Sequence, residues 1–224
     1  MINPVIQAMI LKDWHLHRIH IVLSLVAGAL AIGVLQFGND TSFLLGSVWF
    51  FVSLIVLASM LPVSNVINER KKQTVVFLMS LPVSAIQYAI SKLVSTLALF
   101  IMPWVALVAA ASTFLLSHAD VPRGIIPVML ILFGLPLVGF CLVAGAALVS
   151  ESEGWTIAAT IVCNSTYGLA WYFIIREPAI NSTLKSPVPV WNSLVLMILG
   201  GEAAAIALIL GVTFYLQSRK REFI

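Results

Sequence analysis

Charge is what this chain has least of. Charged residues make up 9% of its 224 positions and hydrophobic ones 61%, and the mean hydropathy is +1.07. Soluble domains carry about 25% charged residues. A chain so poor in charge lacks the polar surface to meet water on every side, so it reads as an integral membrane protein. Cysteine is nearly absent. Cys141 and Cys163 lie inside apolar runs and read as small core residues that say nothing of redox compartment. There is no Gly-x-x-x-x-Gly-Lys-Ser/Thr phosphate loop, no His-Glu-x-x-His and no Gly-x-Ser-x-Gly. ATP hydrolysis through a phosphate loop and the familiar intramembrane-protease and lipase chemistries therefore lack their residues. Repeats, linkers and low-complexity segments are missing too, and 224 residues leave room for one membrane domain and no soluble catalytic one.

What is present is apolar length. A spanning helix needs about 20 mostly apolar residues, and six stretches qualify: Ile19–Phe37, Phe43–Ile67, Ile86–Leu116, Gly124–Val149, Thr156–Ile175 and Trp191–Gln217. The third exceeds one crossing, so it tilts or extends beyond the bilayer. The first is read as a span and not a cleaved signal, because a segment of 18 residues containing Trp14 precedes it and its core is long. Orientation follows the distribution of Lys and Arg. Lys12, Arg18, Arg70, Lys71, Lys72, Lys92, Arg219, Lys220 and Arg221 fall on one side, and Arg123, Arg176 and Lys185 on the other. Nine against three places both termini in the cytoplasm. The net charge of +3 and the pI near 9.0 come from this loop bias, and no nucleic-acid partner is inferred. Trp191 fits an interfacial anchor.

Residues 1–18 read as an interfacial helix, with a short cytoplasmic extension of the first span as the alternative. Pro4 suits a first helical position, and Val5, Ile6, Met9 and Ile10 share a face before Lys12, Asp13 and Arg18. The expected fold is all-α: six transmembrane helices with this N-terminal interfacial helix. Pro62, Pro103, Pro127 and Pro136 fall in spans, where proline means a kink more often than an end. Gly200/Ala204 and Gly201/Ala205 would allow close helix packing.

Several clusters invite chemistry. In His15-Leu16-His17-Arg18-Ile19-His20, the helical turn makes His17 and His20 neighbours and sends His15 elsewhere, so no metal site is assigned. Glu151 and Glu153 occupy a short water-exposed turn without desolvation or a perturbing partner. They read as a helix cap, with Ser150-x-x-Glu153 as a capping box, and as a contact for a cytoplasmic partner. Asn39-Asp40-Thr41, Asn164-Ser165-Thr166 and Asn181-Ser182-Thr183 match the glycosylation sequon by chance. Glu202 differs, because an acid well inside a span costs about 2.5–3.5 kcal/mol and normally faces protein or a watery path. Its depth nearly coincides with that of Asn164, so it is expected to meet Asn164-Ser165-Thr166. The meeting would either lock two helices or line a pathway.

The most informative stretch is Asn68–Pro82, the only sizeable charged segment between two long apolar runs. Glu69 near its start suits the helix dipole. Arg70, Lys71 and Lys72 supply charge, Val75, Leu78, Met79 and Leu81 supply apolar contacts, and Pro82 ends the run. In order, Glu69-Arg70-x-x-x-Thr74-x-x-Phe77-Leu78-x-Ser80-Leu81-Pro82-Val83-Ser84, then Tyr88 and Ser91-Lys92-Leu93, resembles permease subunits of ABC-2 type ABC transporters. Gln73 stands where many members carry Gly, and Arg176–Val190 is shorter than their usual external segment.

The resemblance implies a single permease domain over residues 1–224 in the plasma membrane, the inner one in bacteria. Segment 68–82 would be the coupling helix, with Glu69, Arg70, Thr74, Leu78, Leu81 and Pro82 docking on an ATP-binding cassette subunit. Lys92 would match the Lys that begins the third span, and Glu151 and Glu153 would make a second, smaller contact. Two ATP-binding subunits would serve a pair of permeases, either two copies of this chain or this chain with a relative. ATP and Mg2+ would sit in the partner and no cofactor here, so the chain itself is not expected to be an enzyme. Asn164, Thr166 and Glu202 would belong to the translocation path or to an intramembrane polar cluster. Export follows from the family, and the substrate does not. The rival readings are a proton-coupled secondary transporter using Glu202, an intramembrane hydrolase built on Glu151, Glu153 and the histidines, and an assembly subunit of another membrane complex.

Overall fold

An apolar chain in lipid has no water to satisfy its peptide groups, and helices close those hydrogen bonds internally. The computed structural model describes residues 4–67, 85–118 and 121–219. Among these every regular element is helical: α1 (Pro4–Leu35), α2 (Asp40–Pro62), α3 (Ala85–Ser117), α4 (Ile125–Ser150), α5 (Glu153–Arg176) and α6 (Ser193–Arg219). A single turn, Pro178–Asn181, lies between α5 and α6. All six long helices are long and apolar enough to cross a membrane, in register with the six runs in the sequence.

The N-terminus departs from expectation. The interfacial helix is not a separate element, because the chain runs from Pro4 to Leu35 as one helix of 32 residues. Neither Gly nor Pro occurs between Pro4 and Gly28, so nothing breaks the backbone there. At 1.5 Å per residue α1 is about 48 Å long, well beyond a hydrocarbon layer of about 30 Å.

The centre of the bundle is α4. Half of its most apolar stretch is buried, against 11% for α5 and 6% for α6. It packs on α2, α5 and α6, while α1 packs on α2 and α3. Without a hydrophobic drive between helices in lipid, shape and polar contacts hold the bundle. Phe100 of α3 stacks on Phe140 of α4 with ring centroids 4.2 Å apart. Phe133 meets Phe50 at 5.7 Å, and Trp104 Nε1 donates to the Phe133 carbonyl at 3.1 Å.

The connections also follow from the residues. Asn39 caps α2, its Oδ1 accepting from Ser42 N at 2.7 Å, which gives the first sequon a structural use. Between α4 and α5 the capping box does not form. Only Glu151 and Ser152 separate the helices, Glu151 takes the left-handed conformation (φ 55°), and Ser152 stands at the N-cap. Ser150 is left as the last residue of α4, its hydroxyl donating to the Ala146 carbonyl at 2.7 Å. Gly200 and Gly201 have no atoms near enough to meet an added Cβ, so these two glycines of α6 are not packed against the described residues. At the other end, Gly124 N donates to Ser186 O at 2.9 Å. A methyl group on Gly124 would overlap the Thr183 carbonyl, and backbone cannot swing aside. Gly124→Ala should therefore cost about 1–3 kcal/mol, read as a lower melting temperature in detergent.

Proline acts differently along the spans. Pro103 and Pro136 sit inside helices that continue through them, and Pro127 falls in the first turn of α4. After Pro62 the α-helix gives way to a wider π turn, Val63–Ile67. Proline has no N–H to donate and its ring crowds the carbonyl four residues back. The wider turn follows directly and carries Asn65 into the interior.

Candidate functional site

One of the largest fully buried side chains in the described structure belongs to a cation, Lys92 of α3. An ammonium group has three protons and no acceptor, and burial costs several kcal/mol unless each is met. Here each is. Lys92 Nζ donates to Asp13 Oδ1 and Oδ2, both at 2.9 Å, and to Asn65 Oδ1 at 3.0 Å. Ser95 Oγ donates to Asp13 Oδ2 at 2.7 Å, Asn65 Nδ2 donates to Thr96 Oγ1 at 2.7 Å, and Thr96 Oγ1 donates to the Lys92 carbonyl at 2.6 Å. Asp13, Asn65, Lys92, Ser95 and Thr96 are all 1% exposed or less. This is a closed ionic network within three apolar helices.

Its members come from three places for local reasons. Asp13 lies on the N-terminal part of α1, which reaches the cluster because α1 is unbroken. Asn65 arrives on the π turn after Pro62, and such turns re-aim side chains at functional sites. Lys92, Ser95 and Thr96 share one face of α3 at spacings of three and four residues. On the same side His17 Nδ1 is 3.5 Å from Ser64 Oγ, and His17 Nε2 is buried with no hydrogen-bond partner. The network thus joins α1 to the end of α2 and the beginning of α3. These are the two helices that residues 68–84 connect.

The coupling residues named from the sequence, Glu69, Arg70, Thr74, Leu78, Leu81 and Pro82, lie outside the described residues. Glu151 and Glu153 flank the two-helix turn at the α4–α5 junction. The expected meeting of Glu202 with Asn164-Ser165-Thr166 does not occur. Glu202 of α6 lies against α4, its carboxylate filling the space over Gly134, and its Oε1 is buried without a hydrogen-bond partner. Asn164 lies on α5 and lines a cleft with α2 and α4, and Thr166 Oγ1 is spent on the Val162 carbonyl at 2.8 Å. Equal depth did not bring the residues together because α5 and α6 each pack separately on α4. Depth fixes height along a span but not direction around it.

Asp13, Asn65, Ser95 and Thr96 were not singled out from the sequence. One signal was available: Lys92 falls within the third apolar run, and a cation there needs a partner. Its burial also removes it from the tally of loop cations, leaving eight against three. Among the histidines, His17 and His20 have ring centroids 5.9 Å apart, while His15 Nδ1 lies 3.1 Å from the Leu11 carbonyl. Among the described residues no three metal-ligating side chains converge. No protein-family model, curated protein or solved structure matches the chain.

Proposed function

We propose that the chain is the membrane-spanning permease subunit of an ATP-driven ABC exporter, working as a pair and coupled through residues 68–82 to separate ATP-binding subunits. The observation that carries this reading is the buried network of Asp13, Asn65 and Lys92. A cytoplasmic segment that passes on a partner's motion needs its two ends held rigidly to the bundle. The network ties the end of α2 and the start of α3 to each other and to α1. The uncovered faces of α5 and α6 support a second permease copy or a relative alongside. Both termini would lie in the cytoplasm, ATP and Mg2+ would bind the partner, and Glu151 and Glu153 would add a smaller contact beside segment 68–82.

One observation favours a second reading, a proton-coupled transporter: the unpartnered, buried Oε1 of Glu202. The two readings part on energy source. Under the ABC reading, membranes carrying the complex hydrolyse ATP, and Glu202→Gln leaves that hydrolysis unchanged. Absence of hydrolysis, together with a proton flux into vesicles that Glu202→Gln abolishes, would replace the first reading by the second.

A further inference from the structure

Two adjoining cavities, of about 240 and 190 Å³, share Ser47, Phe51, Leu132 and Trp171; the first opens between α2, α4 and α5, and the second also touches Leu35 of α1 and Ala111 and Leu115 of α3. Along α4 their lining runs from Ile125 to Pro136. Eleven steps of 1.5 Å make a groove about 17 Å long. That is close to the depth of one leaflet, half of a hydrocarbon core of about 30 Å. The walls are mainly apolar and aromatic. Polar groups appear where Ser47, Asn164 and Tyr167 border the deeper cavity.

The shallow end is charged. Ile125 and Leu184 line the cavity there, and each is close in sequence to an exposed cation, Arg123 and Lys185. The hydrogen bond from Gly124 N to Ser186 O draws the chain segments bearing these two cations together. Neither forms an ion pair with a described residue. Arg176, the third cation of this end, is turned onto Tyr172, donating to its hydroxyl at 2.6 Å. Two acids are close in sequence: Glu177, at the start of the single turn Pro178–Asn181, and Asp120, which lies outside the described residues. A groove as deep as a leaflet, mainly apolar, with Arg123 and Lys185 carried by the chain segments at its mouth, has the form of a tail and an anionic head.

We propose that the groove between α2, α4 and α5 binds an acyl chain of an anionic phospholipid, whose headgroup is held by Arg123 and Lys185. The proposal stands on the membrane fold and requires neither coupling to ATP nor transport. Water does not fill an apolar groove in a bilayer, so lipid or protein must, and the paired cations select an anionic lipid over a second copy of an equally basic chain end.

The test uses the full chain in vesicles containing phosphatidylglycerol or phosphatidylcholine with a photoactivatable group at the end of one acyl chain. Crosslinked residues are mapped by mass spectrometry. The phosphatidylglycerol probe should label the groove near Ser47, Asn164 and Tyr167 about tenfold more than the phosphatidylcholine probe. Arg123→Gln/Lys185→Gln should reduce that labelling to the phosphatidylcholine level. Gly168→Leu should abolish it, since Gly168 lines the cavity and an added Cβ meets nothing within 4 Å. Equal labelling by both lipids, spread over every uncovered helix face, would overturn the proposal. So would a groove silent to both probes in a dimer and labelled only after dissociation, which would give it to a second copy.

Discussion

Lys92→Met should be the most damaging single substitution in the described structure, costing about 3–5 kcal/mol. It leaves the Asp13 carboxylate buried with the Ser95 hydroxyl and the half-exposed Lys12, 3.7 Å away, and takes the Lys92 proton from Asn65 Oδ1. Asp13→Leu alone should be nearly as harmful, because it takes both carboxylate oxygens away from the buried ammonium group. The two together, Asp13→Leu/Lys92→Met, should recover most of the loss, since well-packed apolar side chains replace buried ion pairs at little net cost. Thermal unfolding of the four proteins in one detergent decides it. A wild-type-like Lys92→Met, or a double variant as unstable as the sum of the singles, would show that the pair does not hold the bundle. The double variant has a second use. If the network serves to pass motion from segment 68–84 into α1 and α3, stability should return while ATP-dependent activity does not.

Leu78→Asp should abolish docking of the ATP-binding subunit. In the coupling-helix reading Leu78 is an apolar anchor of a small interface, and truncation of such an anchor costs at least about 2 kcal/mol, roughly 30-fold in affinity. A buried, unpaired carboxylate adds to that. Asp13, Asn65, Lys92, Ser95 and Thr96 all lie outside segment 68–82 in sequence, so the melting temperature of the isolated chain should stay the same. Pull-down of the partner from membranes, measured beside that melting temperature, separates lost docking from lost folding. Retention of the partner by Leu78→Asp would remove segment 68–82 from the interface.

The spans were legible because apolar length is a one-dimensional signal, and all six appear where the runs place them. Direction around a helix was not. For Glu202, an acid inside a span, depth alone points to Asn164, whereas its carboxylate lies over the side-chain-free patch at Gly134. The ionic network was half visible. Lys92 sits in an apolar run, but Asp13 lies among loop-like charges and joins the interior only because α1 continues unbroken. Asn65 required the π turn after Pro62, which no periodicity announces. At the α4–α5 turn, the Ser-x-x-Glu pattern was real but the spacing between helices was too short for it to act.

The central claim is that this bundle works with an ATP-binding subunit held through residues 68–82. The most direct measurement is gentle purification of the tagged chain from its native membranes, beside a Glu69→Lys/Leu78→Asp variant, with everything that accompanies each identified by mass spectrometry. A subunit bearing a phosphate loop, recovered with the wild type at one per permease and missing from the variant, is the predicted result. A chain recovered alone, or a partner retained equally by the variant, would contradict it.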